Sequence, residues 1–174
     1  MLFVGVLSGC GGGGSGGGAV GYDASPFFGD WMNDSEGCIS NTTKGTDGTV
    51  YSSIERRLSP TETRVALTSD LYQGLTCDNK VGTVTLLSTV KWSDASIVGK
   101  QIAARVTIAP IYQQTATLAN GTPIPLQANT YGKTTEKTVF AIADGVLYLG
   151  NNSDEAVFDK DGYPTTVERY GPKR

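Results

Sequence analysis

The sequence predicts an all-β domain of about eight antiparallel strands, closed as an up-and-down barrel or folded as a two-sheet sandwich. Three observations predict it. Charged residues make up only 18% of the chain, while Thr, Ser, Val and Gly abound, a composition that favours strands and turns over helices. Apolar and polar residues alternate with period two in several short segments, the mark of a half-buried strand. Turn dipeptides separate those segments, and no stretch holds a sustained helical period.

The chain begins with an apolar run, Met1 to Leu7, followed by the small residues Ser8, Gly9 and Cys10. Such a run ending in small residues reads as the back half of an export signal. It is too short to span a bilayer, which needs about 20 apolar residues. No Lys or Arg precedes it, so the charged start of such a signal is missing and is expected upstream. Gly11 to Gly18 is wholly Gly and Ser, the composition of a flexible tether with a reach of about 20–25 Å out to Pro26. The expected organisation is therefore a partial signal over 1–9, a tether over 10–26 and one domain over 27–174, long enough to bury a core.

Within the domain each strand has its own signature. Val50 to Leu58 is read with Val50, Ile54 and Leu58 on one face. Thr63 to Leu71 places Val65, Leu67 and Leu71 together. Val84, Leu86, Val90 and Trp92 share a face, as do Ile102, Ala104, Val106 and Ile108. Ser59-Pro60 turns the first of these strands into the second. Asp144-Gly145, between Val139–Ala143 and Val146–Leu149, is a strong two-residue hairpin signal. Asp161-Gly162 precedes a last strand, Thr165 to Tyr170. Asn120-Gly121-Thr122-Pro123 marks a further turn, and Ser93 to Val98 is read as a single helical turn capped by Ser93 or Asp94. The sequons at Asn33, Asn41, Asn120 and Asn151 are read as polar loop positions.

Two resemblances sharpen this reading. Leu7-Ser8-Gly9-Cys10 resembles the lipobox of bacterial lipoproteins at all four positions. The resemblance implies that Cys10 carries lipid, that the protein is held at a membrane of the bacterial cell envelope, and, because Gly11 rather than Asp follows, that this is the outer membrane. With Cys10 so occupied, Cys38 and Cys77 are left as an even pair in an oxidising compartment and are expected to form a disulfide, with two buried thiols as the alternative. Gly29-Asp30-Trp31 resembles the Gly-x-Trp of lipocalins and their barrel relatives. That resemblance favours the barrel over the sandwich. It implies that Gly29 and Trp31 close one end, with an Arg near the C-terminus, Arg169 first and Arg174 second, lying across the indole. The order Phe28-Gly29-x-Trp31, Cys38, strands, Cys77 is similar to small bacterial lipoproteins with such barrels.

Chemistry is scarce. The chain has no His, which removes Ser-His-Asp and Cys-His catalysis and His-ligated metals. No phosphate-binding loop is present. Asp154, Glu155, Asp159 and Asp161 cluster, but they match neither a calcium loop nor a recognisable glycosidase pair. No metal, cofactor or catalytic residue is expected. The net charge of −3 and pI near 4.9, with no basic stripe, argue against nucleic acid. Tyr72, Trp92, Tyr112, Phe140 and Tyr148 are candidates to line a ligand cavity, or else core. The expected function is non-enzymatic: a lipid-anchored binding module for a small apolar or amphipathic ligand. A protein-interaction or structural role in the envelope, with a filled barrel, is the alternative; a glycan hydrolase stands third.

Overall fold

The computed structural model describes residues 22–34, 37–127, 133–153 and 155–174. A short 3-10 turn, Ser25–Phe27, leads into ten strands: β1 (Trp31–Met32), β2 (Ile39–Lys44), β3 (Val50–Pro60), β4 (Arg64–Gln73), β5 (Lys80–Asp94), β6 (Ile102–Ile108), β7 (Gln113–Leu118), β8 (Glu136–Ala143), β9 (Val146–Gly150) and β10 (Val167–Pro172). They form one antiparallel sheet in the order β1-β3-β4-β5-β6-β8-β9-β10, with β2 added to β3 and β7 to β5. The eight strands of the main path form an up-and-down barrel, nearly closed, as anticipated.

Closure depends on β1, which is only two residues long. One edge of β1 pairs with β3, Trp31 opposite Leu58. On the other side Trp31 bridges to Lys173, Asp34 N–H donates to Tyr170 O at 3.3 Å, and Arg174 N–H donates to Asp30 O at 2.9 Å. β10 crosses β1 so closely at Gly171 that a Cβ there would run into Met32 O. The β8–β9 hairpin turns on Asp144 and Gly145 with φ of +52° and +72°, the conformation that selects Asp-Gly in a two-residue turn.

β5 is long enough to serve two neighbours along one edge. Its second half, Val90 to Asp94, pairs with β6; its first half, Gly82 to Leu87, pairs with β7. β6 and β7 are thus one strand path interrupted at Pro110, which has no N–H to give. Beyond β7 the chain turns back: Ile124 N–H donates to Ala116 O, and Gln127 N–H donates to Lys44 O at the end of β2. Two cores result. The larger holds Phe27, Trp31, Leu58, Val65, Val106, Phe140 and Leu147, among others. The smaller, under this return, holds Tyr51, Leu71, Val84 and Ala116.

Three details differ from the sequence reading. Ser93 and Asp94 end β5 rather than capping a helical turn, because Asp94 stays in register with Ala104. A bulge in β3 between Glu55 and Arg57 inserts one residue, so Ile54 and Leu58 face opposite sides. Leu58 pairs with Leu67 towards the interior, and Ile54 pairs with Asp70 on the outside. β2 and β7 were not anticipated: their sequences, ISNTTK and QQTATL, lack an apolar face. The disulfide between Cys38 and Cys77 is present, with Cα atoms 5.9 Å apart, and it ties the segment before β2 to the β4–β5 loop.

The close approach at the seam is open to test. Gly171→Ala is expected to part β10 from β1 and to lower unfolding stability by about 1–3 kcal/mol, measured by denaturant titration with an unchanged β-sheet circular dichroism spectrum. An unaltered midpoint would mean that the seam does not bear on stability.

Candidate functional site

The barrel interior divides by residue type. Aromatic rings crowd the end where the N-terminal segment enters. Phe27 stacks on Trp92 at 5.5 Å between centroids, and Phe140 meets Trp92 edge-on at 5.5 Å. Trp31 is 1% exposed, and its Nε1–H donates to Phe27 O at 2.7 Å. The cation over the Trp31 indole is Lys173, with Nζ 5.3 Å from the centroid; Lys173 also lies beside Gly29. Arg169 is elsewhere, its Nη2 2.6 Å from the Asp34 carboxylate. Gly29 and Trp31 therefore stand at the closed end, and Arg169 belongs to a surface ion pair.

Away from this plug, and apart from Tyr51 in the smaller core, the interior apolar side chains are mostly aliphatic. They leave a cavity of about 150 Å³, lined by Leu58, Val65, Leu67, Leu86, Ile108 and Ile111, with Ser88, Thr134 and Glu136 as its polar groups. It lies where β6 bends into β7 and β8 begins. A larger open groove of about 690 Å³ runs along β7 past Tyr112, Ile124 and Leu126, and Ile111 borders both spaces.

Two carboxyls face this interior. Glu55 sits opposite Ser69, which sits opposite Val84 of the smaller core. Burial pushes the Glu55 carboxyl above its ordinary range, an effect partly offset by the Tyr170 hydroxyl. Tyr170 is 5% exposed, and its hydroxyl makes no hydrogen bond of good geometry among the described residues. Burial first, then the Glu55 charge, hold it far above its usual range. Glu136, exposed at the start of β8, sits opposite Ile108 at the cavity mouth. Burial raises its carboxyl as well, and Asn152 Nδ2 donates to its Oε1 at 3.1 Å.

The five aromatic candidates are dispersed. Trp92 and Phe140 belong to the plug, and Trp92 Nε1–H donates to Glu62 O at 3.0 Å. Tyr72 is buried beside Arg56, 3.5 Å from its Nη2. Tyr148 lies under Lys100 Nζ, 3.2 Å from the ring centroid. Tyr112 is 51% exposed and borders the groove. None of the five lines the cavity itself. Cys10 lies outside the described residues, as does Asp154.

The acidic loop is a structural device. Asp159 Oδ1 accepts the N–H groups of Asp161 and Tyr163, both at 2.9 Å, while Arg105 Nη2 lies 2.6 Å from Asp159 Oδ2 and its Nη1 3.6 Å from Asp161. Backbone hydrogen bonding from Tyr163, more than the Arg105 pairing, keeps the Asp159 carboxyl below its ordinary range. Among the described residues no three His, Cys, Asp or Glu side chains are placed to hold a metal ion. Two of the sequons are turn residues: Asn120 Oδ1 accepts Thr122 N–H and Asn151 Oδ1 accepts Ser153 N–H; Asn41 instead lies within β2, not in a loop. Comparison with family models, with curated proteins and with solved structures finds no match to the chain.

Glu55 makes a pH prediction. Between the ordinary Glu value near 4.5 and its raised folded value, the folded chain keeps a proton that the unfolded chain releases. Stability contributed by this group is therefore full below 4.5 and is lost as pH rises through that window. Glu55→Gln removes the effect. The stability difference, variant minus parent, is expected to grow with pH from 4 to 7 in urea titrations; a difference independent of pH would show that Glu55 is not buried in the folded state.

Proposed function

We propose that this chain is a non-enzymatic binding module, lipocalin-like in fold, anchored in the bacterial envelope through lipid on Cys10, and that the cavity beside the β6–β7 bend takes a small apolar group. The observation that carries the reading is the segregation of the interior. Phe27, Trp31, Trp92 and Phe140 gather at one end, Tyr51 packs in the smaller core, and between them an aliphatic-lined space is kept beside the β6–β7 bend. An eight-stranded barrel can be filled completely by its own side chains, so an unfilled apolar space calls for an account. At about 150 Å³ the cavity is well below the roughly 300–1,000 Å³ of drug-sized sites. An apolar cavity of about this size accepts a benzene ring. The occupant is accordingly a single ring or short chain, and any longer remainder has the groove past Ile111 to lie in.

The anchor supports the same arrangement. The flexible Gly/Ser segment holds the domain near the membrane while leaving it free to reorient, which suits a module that meets a ligand or partner. The disulfide agrees with an oxidising compartment.

Two experiments test this. Titration with toluene, followed by amide chemical shifts, is expected to move resonances of Leu67, Leu86 and Ile108. Leu67→Trp is expected to abolish binding at least tenfold while the fold persists; shifts confined to the surface would sink the cavity reading. Expressed with a complete export signal, Cys10→Ser is expected to move the protein from the membrane to the soluble fraction, and retention at the membrane would refute the lipid assignment.

A further inference from the structure

We infer that the ligand is a small organic ammonium, its apolar body in the cavity and its charge on Glu136; this rests on the cavity-binding reading above. The chain keeps its cations on the outside of the barrel. All 14 Lys and Arg residues fall among the described residues. Those carried by the eight barrel strands register with outward-facing neighbours: Arg57 with Thr68, Arg64 with Thr89, Lys91 with Thr107, Arg105 with Val139 and Lys137 with Thr107, and Arg169 with Tyr148. Arg56 and Lys80 both reach Asp70, each at 2.8 Å. The partners in the ion pairs are aspartates: Asp30, Asp34, Asp70, Asp159 and Asp161.

The interior is the reverse. Glu55 faces it from β3, while Glu136, at the exposed start of β8, stands at the cavity rim on the opposite wall, four places away in a closed order of eight. Neither has a Lys or Arg within ion-pair distance. Lys137, next to Glu136 in sequence, turns outward, and its Nζ donates to Asp161 O at 2.6 Å.

The Glu136 carboxylate is open to solvent on its outer side and borders the aliphatic cavity on its inner side, so it is the one anionic group a cavity occupant meets. An ammonium group supplies both the missing charge and three donors. Its possible acceptors at the cavity wall are the Glu136 carboxylate and the hydroxyls of Ser88 and Thr134. A carboxylate ligand meets like charge there and no interior cation. The site therefore selects by sign as well as by size.

The test uses three probes of one length, hexylamine, hexanol and hexanoate, titrated into the intact domain and into Glu136→Gln, with amide shifts as readout. In the parent protein hexylamine is expected to bind about tenfold more tightly than hexanol, the worth of one charged hydrogen bond, and hexanoate most weakly. In Glu136→Gln the amine preference is expected to vanish while hexanol binding stays within about twofold, which also shows that the variant is folded. Equal binding of amine and alcohol to the parent, or an amine preference that survives in Glu136→Gln, overturns the inference and leaves the cavity reading standing. Failure of all three probes to shift cavity resonances overturns both.

Discussion

Everything in this structure depends on closing a sheet against a strand of two residues. β1 supplies two residue pairs to β3 and one bridge to Lys173 just after β10, and the crossing at Gly171 leaves no room for a side chain between the backbones. A barrel closed this way has no long exposed edge on its main path. It also has a defined inside, so that every alternate residue of β4, β5, β6 and β8 is committed to the interior. The same short strand places Trp31 at the end of that interior, where Phe27, Trp92 and Phe140 complete the plug.

Once one end is plugged by rings, the remaining interior must be filled by what is left. Leu58, Val65, Leu67, Leu86 and Ile108 do not reach across it, and the fork between β6 and β7 at Pro110 keeps the wall from tightening there. Carboxyls at Glu55 and Glu136 then sit in surroundings that disfavour their charge. On the outside the opposite holds. Burial alone would raise the Asp70 carboxyl, but hydrogen bonds from Lys80 and Arg56 override it and hold the group below its ordinary range. Exposed pairs of this kind add little stability; their effect is to keep the cations on the outer surface.

Much of the fold was legible. Strict alternation in Val65–Leu71, Val84–Trp92 and Ile102–Ile108 names the interior face correctly, and Asp144-Gly145 marks its hairpin. The β3 face was misread because a bulge at Arg56 changes parity without leaving a sequence signal. β2 and β7 were hidden because a strand that only extends an existing sheet needs backbone pairing and no apolar face. The site was less legible. Aromatic residues attracted attention as cavity candidates, yet large flat rings are what fill an end, and the space lies among aliphatic side chains. Lys173 over Trp31, where Arg169 was expected, follows from the bulge between Arg169 and Gly171, which changes the register of the final residues. Glu136 gave no signal in the sequence, since Lys137 and Thr138 follow it at the polar start of β8; only the pairing with Ile108 places it at the cavity rim.

The central claim is that the barrel interior keeps an apolar cavity of about 150 Å³ beside the β6–β7 bend that is open to a ligand. A crystal of the domain pressurised with xenon tests it most directly, since xenon enters dry apolar cavities. The account predicts xenon density among Leu58, Leu67, Leu86 and Ile108. Xenon found only at the surface, or side chains of these residues closing the space, would contradict it.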